Sequence, residues 1–257
     1  MIPKKVIRST TYTSALRLKR LILCVAALTL TFNAEAQNKI DSLKQSVAIE
    51  TGTDKYEALI SLAVAYYELD SITSALEPNL AAVDLAKSLG DTMRVLLAGR
   101  MVGQLYNRLA KPAETSRLLK KVLRWTKMGK HSYQRAGILL TLGIAYSDQA
   151  LYDSALWCLI ESYKLRREEN DPTRIATALH NIGLVYYKLK DYGKALVFYR
   201  QVINQKRSSG SLDPINLINA GLSCSTTPHV TEIKKVCLKL EEHFQSLYTI
   251  GSFKAIG

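Results

Sequence analysis

Histidine and cysteine are scarce in this chain of 257 residues, at four apiece. The histidines, His131, His180, His229 and His243, stand at no spacing suited to a metal ion, and no pair lies four apart around a glutamate. A glycine-rich phosphate loop is missing as well. Neighbouring acids such as Glu168-Glu169 and Glu241-Glu242 read as solvated helix ends rather than acid/base pairs. With no nucleophile, metal cluster or phosphate cradle in view, the sequence predicts a protein that is not an enzyme and takes no cofactor or metal.

Cysteine is also too thin for a disulfide scaffold. Beyond residue 36 there are three, Cys158, Cys224 and Cys237. The last two fall on successive helices near the C-terminus, where pairing in an oxidising compartment competes with burial as small hydrophobes. The apolar run Leu21 to Phe32, about 12 residues, is well short of the roughly 20 that a spanning helix needs. It follows Met1 to Arg20, a segment with six basic residues and no acid, and precedes Ala34-Glu35-Ala36. That order is a secretory signal peptide, cleaved after Ala36 to leave Gln37 first, and the expected location is periplasmic. Retention as a membrane anchor is the competing reading. A lipoprotein site is excluded because Cys24 follows the large Leu23 and lies inside the apolar run. Export also removes the chain from nucleic acid. Loss of residues 1–36 takes six bases and one acid, so the formal charge falls from +13 to +8 and an acidic partner or anionic surface is favoured.

What the sequence does contain is an interval. Ala63, Gly103, Gly143 and Gly183 lie 40 residues apart, and each is followed three residues on by Tyr66, Tyr106, Tyr146 or Tyr186. Twelve residues after each small residue stands another small side chain, Ala75, Thr115, Ala155 or Ala195. A register held over four copies marks a repeat array. Within the third copy, Tyr133 to Gln149 reads as a helix A with Ile138, Leu139, Leu142, Ala145 and Tyr146 on one face. A helix B follows from about Tyr152 to Arg167, turning Ala155, Cys158, Leu159 and Tyr163 inward. The short break between them makes the pair antiparallel. Gly143 and Ala155 are read as the point of closest approach of the two backbones, with Tyr146 filling the next turn.

Leu142-Gly143 with Tyr146 and Ala155, and Ile182-Gly183 with Tyr186, Leu189, Tyr192, Ala195 and Tyr199, resemble the tetratricopeptide repeat. Leu62-Ala63, Tyr66, Leu69 and Ala75 follow the same pattern. The second copy departs from it, with Thr115 for alanine and Pro112 in the turn. The resemblance covers Asp54 to Ser208, at an interval of 40 residues where the family's is about 34. HEAT and armadillo arrays share the longer period but lack the glycine, tyrosine and alanine triplet. The resemblance implies an all-α, right-handed α-solenoid of antiparallel helix pairs. Its parts are a capping helix at 37–53 carrying Ile40, Leu43 and Val47, repeats at 54–92, 93–132, 133–172 and 173–212, a degenerate fifth at 213–250 and a tail at 251–257. In that fifth copy Cys224 and Ile233 replace tyrosine and alanine. Asp171-Pro172 and Asp213-Pro214 each set a capping acid before a proline suited to a first helical position.

The resemblance also implies a function, binding of a peptide or protein segment in a concave groove lined by the A helices. The groove candidates are Arg100, Gln104, Asn107, Arg108, Ser147, Asp148, His180, Tyr187 and Lys188. Arg100 with Gln104 only faintly matches the clamp that some members close on a terminal carboxylate, and Ile60 and Val64 do not fit it. A second surface is basic: no acid occurs from Thr115 to Ser147, while Arg117, Lys120, Lys121 and Arg124 fall at i, i+3, i+4 and i+7. Such a stripe suits an acidic protein or anionic headgroups, unless it is simply a solvated helix face. Similar arrays form the exported halves of membrane-bound sensor kinases and regulators, so a sensory fragment is the alternative to a free-standing scaffold.

Overall fold

The computed structural model describes residues 36–126 and 130–208. The signal segment, the fifth repeat with Asp213-Pro214, Cys224 and Cys237, and the tail lie outside them. Described residues are all helix or short turn, with no strand among them. Helix α1 covers 36–49. Seven helices of 17 residues follow the same plan: α2 (Gly52–Glu68), α3 (Ile72–Ser88), α4 (Thr92–Arg108), α6 (Ser132–Asp148), α7 (Tyr152–Glu168), α8 (Pro172–Lys188) and α9 (Tyr192–Ser208). Helix α5 (Pro112–Leu123) has 12 residues. It stops where Trp125 and Thr126 donate their N–H groups to the carbonyls of Val122 and Leu123, a tighter bonding pattern than the α-helix propagates.

Helix starts recur every 20 residues, at 52, 72, 92 and onward: 17 helical residues are joined by three, except at α5, whose shorter helix is followed by a longer joint that keeps the interval. The 40-residue interval is therefore two such steps, one A and one B helix. The A-to-B joints follow a single recipe. In the A-to-B turns, Asp70, Ala110, Ala150 and Lys190 take the left-handed conformation, with φ of 54°, 53°, 58° and 62°. Their N–H groups return to the carbonyls of Tyr67, Asn107, Ser147 and Tyr187, and the next N–H returns to the carbonyl of Tyr66, Tyr106, Tyr146 or Tyr186. This is the Schellman ending, which satisfies carbonyls that a helix terminus would otherwise leave open. The repeated tyrosine thus also marks the third-last position of each A helix. Left-handed backbone costs a residue with a Cβ about 1–2 kcal/mol. Ala150→Gly is accordingly expected to stabilise the chain by about 1 kcal/mol, read as a higher midpoint in urea unfolding followed by circular dichroism.

The sequence-predicted start at Asp171-Pro172 is present: Pro172 opens α8, and the Asp171 carboxylate accepts the Arg174 N–H at 3.1 Å. Asp191 does the same for α9 through the Lys194 N–H at 3.1 Å, and the Lys194 ammonium lies 2.8 Å from its other oxygen. Those bonds hold the Asp191 carboxyl below the usual carboxylate range.

The described residues divide into two compact units, the first ending at Asp91 and the second beginning at Thr92. In the first, α2 packs on α3, and α1 lays Ile40, with Leu43 and Val47 beside it, against Leu62, Ala65 and Tyr66 of α2. In the second, α4 to α9 stack in order, each on the next, while α6 also touches the neighbouring A helices α4 and α8. This is an all-α helical-repeat solenoid, and its core is a series of linked clusters rather than one centre. Leu96, Leu119, Val122, Ile138, Leu139, Leu142 and Cys158 form one. Ala155, Leu159, Ile182 and Val185 form the next, with Tyr146 and Tyr186 against it, and Ile175, Ala176, Leu179 and Val202 follow. Burying a leucine or isoleucine contributes about 1.5–3 kcal/mol, so each interface is held by a few such residues and by its neighbours alone.

The small residues sit where close approach was expected, but the contact differs from the sequence reading. A Cβ at Gly143 would lie 2.7 Å from Leu159 Cγ, and 3.2 Å from the Ala155 carbonyl oxygen. The Leu159 side chain, more than Ala155, occupies the space that glycine leaves. The same holds at Gly103, 2.8 Å from Leu119, and at Gly183, 2.9 Å from the Tyr199 ring. In the first copy the small residue is Ala63, and the position that corresponds to Leu119, Leu159 and Tyr199 is the smaller Asn79. The extra methyl and the lost volume compensate.

Candidate functional site

The packing unit accounts for the glycines, alanines and tyrosines, so what remains on the A helices is open to function. Gln104, Arg108 and Asp148 are exposed, and Arg100, Asn107, His180, Tyr187 and Lys188 are half-buried. Ser147 is buried and offers nothing to an open surface. Several of the others are tied to neighbours. The Asn107 amide donates to the Thr141 carbonyl at 3.0 Å and accepts from the Thr115 hydroxyl at 2.8 Å. Thr115 stands in an alanine slot and is fully buried, so its hydroxyl needs a partner, and Asn107 supplies one while bridging α4 to α6. Lys188 Nζ lies 2.9 Å from the Asp148 carboxylate and donates to the Ser147 carbonyl at 3.4 Å, joining the ends of α8 and α6 one repeat apart. Gln149 likewise donates to the Pro112 carbonyl at 2.9 Å. His180 and Tyr187 face the rings of Tyr199 and Tyr192, at centroid distances of 5.9 and 5.5 Å.

Arg100 is different. It extends toward α6, where a Cβ on Gly137 would lie 2.9 Å from Arg100 Cδ and 3.2 Å from Arg166 Nη2. Arg166, in the last turn of α7, is only 4% exposed and its guanidinium stands 4.8 Å from the centre of the Tyr133 ring. Arg174, at the start of α8, stands 4.4 Å from the same ring. Both distances are in the range of cation–π attraction. Arg166 pairs with Glu169 at 2.7 Å and Arg174 with Asp171 at 3.1 Å. Burial holds the Arg100 guanidinium below its ordinary pKa; the attraction of Tyr133 opposes that shift, and the repulsion of Arg166 and Arg174 adds to it. Sequence reasoning picked out Arg100 and missed Tyr133, Arg166 and Arg174. The available signal was Gly137, a helical glycine outside the 40-residue register.

Arg117, Lys120, Lys121 and Arg124 are all exposed along α5 and its C-terminal cap. Lys120 Nζ lies 5.9 Å from the centre of the Tyr146 ring. Arg135, which prolongs the basic run in sequence, instead donates to the Thr126 hydroxyl at 2.8 Å. The described cysteine, Cys158, is buried, and its thiol is pushed up to about 12 by desolvation, so it is no thiolate nucleophile at neutral pH. Among the described residues no group of histidine, cysteine and acidic side chains gathers to hold a metal, and no helix is long and apolar enough to cross a membrane.

Comparison with known proteins follows the same lines. The tetratricopeptide repeat family model matches residues 134–208. No curated protein matches the chain by sequence. Among solved structures, BtubC (BKLC) from P. vanneervenii superimposes with a TM-score of 0.66 at 15% identity, over 84% of this chain and 90% of its own. The apo form of RapI gives 0.66 at 15% identity, over 86% of this chain and 63% of its own. The TPR-like repeats of a Podosopora anserina kinesin light chain give 0.55 at 17% identity, over 69% and 90%. At these identities the likeness is one of fold. The described helices have the fold of a tetratricopeptide-repeat array, and residues 134–208 match that family by sequence.

Proposed function

We propose that this chain is an exported, non-catalytic interaction module that takes a peptide or protein segment on the face formed by its A helices. The tetratricopeptide fold supports a protein–protein interaction module. The observation that carries the reading is a division of labour along each A helix. The repeated small residues and tyrosines serve the helix pair, while the positions around them change from copy to copy. Ile60, Arg100, Leu140 and His180 share one place in the repeat, and Val64, Gln104, Ile144 and Leu184 share another. Residues that packing does not dictate are the ones a partner selects. Export is supported by the basic segment, short apolar run and Ala34-Glu35-Ala36. N-terminal sequencing of the protein from the periplasmic fraction is expected to begin at Gln37.

A photo-crosslinking side chain in place of Gln104 or Tyr187 tests the face. Adducts to another protein are expected there. Adducts only from Arg117 or Trp157, on the B helices, would move the binding surface to the opposite face.

A further inference from the structure

We infer that Arg100, Arg166 and Arg174, gathered around Tyr133, form a site for one acidic side chain of a protein segment bound on the A-helix face. The inference rests on the proposed function and names the chemistry of one contact within it. Three guanidiniums meet here from three helices, α4, α7 and α8, around a ring carried by α6. Gly137 makes room for them: the point its Cβ would occupy is 3.2 Å from Arg166 Nη2 and 3.5 Å from Arg100 Nη1. Two cationic groups therefore stand in a space that a side chain would fill. Bringing like charges together at a partly buried place is unfavourable unless opposite charge offsets it.

The compensation in the chain itself is incomplete. Glu169 serves Arg166 and Asp171 serves Arg174, the latter already committed as the cap of α8. Among the described residues no carboxylate pairs with Arg100, and the cations near it are the other two arginines. Three positive groups against two negative ones leave a single charge to be met. A carboxylate meets it, whereas a phosphate dianion would overshoot and be repelled by Glu169 and Asp171. Guanidinium also suits carboxylate geometrically, through paired N–H donors. The site opens to solvent, since Tyr133 is 39% exposed and the Arg174 side chain 42%.

The repeat as a whole does not carry this group. The place of Arg100 is taken by Ile60, Leu140 and His180 in the other copies, that of Arg166 by Ala86, Thr126 and Lys206, that of Arg174 by Asp54, Arg94 and Gln134, and that of Gly137 by Glu57, Leu97 and Thr177. Helix packing does not ask for these residues at these positions.

The test uses the full chain and fluorescein-labelled hexaglutamate amidated at its C-terminus, with hexaglutamine as the uncharged control, read by fluorescence anisotropy. Hexaglutamate is expected to bind and hexaglutamine not. Arg100→Gln and, at the more exposed position, Arg174→Gln are each expected to weaken hexaglutamate by about tenfold, as loss of a charge-assisted contact should. Lys120→Gln with Lys121→Gln is expected to leave it within about twofold, since the α5 stripe contributes only screened long-range attraction. Equal affinity of the wild type and of folded Arg100→Gln and Arg174→Gln, or a loss confined to the α5 variant, would overturn the inference. So would inorganic phosphate protecting Arg100 from modification by phenylglyoxal while hexaglutamate does not. Crosslinks at positions 104 and 187 that persist in Arg100→Gln together with unchanged hexaglutamate binding would refute this contact and leave the wider reading standing.

Discussion

Gly143→Leu is expected to cost about 4 kcal/mol or more and to uncouple the helices on either side of it, an effect in the range that only core overpacking or its equals produce. Even the first added carbon has nowhere to go. It would sit 2.7 Å from Leu159 Cγ, 2.8 Å from Leu159 Cδ2 and 3.2 Å from the Ala155 carbonyl. Leu159 is fully buried in the cluster with Ile182 and Val185, so it cannot turn outward, and the Ala155 carbonyl is fixed in the first turn of α7. Gly143→Ala should therefore destabilise by about 1–2 kcal/mol in spite of the roughly 1 kcal/mol that alanine gains over glycine in a helix. Urea unfolding of the two variants beside Gly193→Ala makes the comparison. Gly193 also lies in a helix, but a Cβ there would meet nothing nearer than 3.8 Å. That control should be neutral or stabilising by up to about 1 kcal/mol. Similar losses in all three would mean that glycine matters here for its backbone rather than for close approach.

Glu169→Ala is expected to destabilise the chain by about 3 kcal/mol, because it strands a buried guanidinium. The Arg166 side chain is 5% exposed and that of Glu169 19%, and the bond between them is 2.7 Å. Removing the carboxylate leaves Arg166 facing Arg100 and Arg174 without its counter-charge. The lower end of the usual range is expected, since the second carboxylate oxygen makes no hydrogen bond among the described residues. Arg166→Met combined with Glu169→Ala should recover most of the loss, because a buried pair replaced by an apolar side chain no longer carries an unmet charge. A double-mutant cycle from urea midpoints reads the coupling. Independent, additive losses would place the two residues in separate roles.

Much of the fold is readable from the chain because its determinants are local and repeated. The 40-residue interval marks the small residues, and each of them is buried against the partner helix. Asp171 before Pro172 announces a helix start, since a capping carboxylate and a missing N–H act within one turn. The contact of Gly143 is read less well. Matching small residue to small residue points to Ala155, yet Leu159, one turn later, fills the gap. Side chains on an α-helix lean toward its N-terminus, so a residue covers the surface over the preceding turn. Spacing alone does not carry that direction. Asn107 shows the same gap between sequence and site: it reads as a polar residue beside the glycine slot, and the structure engages it with Thr115 and Thr141.

The sequence by itself determined the helix pairs, their order and the places where backbones approach, because those depend on periodicity, capping and side-chain size within one copy. Only the tertiary structure decided that Arg100, Tyr133, Arg166 and Arg174 meet. They lie 33, 33 and 8 residues apart along the chain, off the register of the repeat, and stacking of successive helices is what brings their charges into one place.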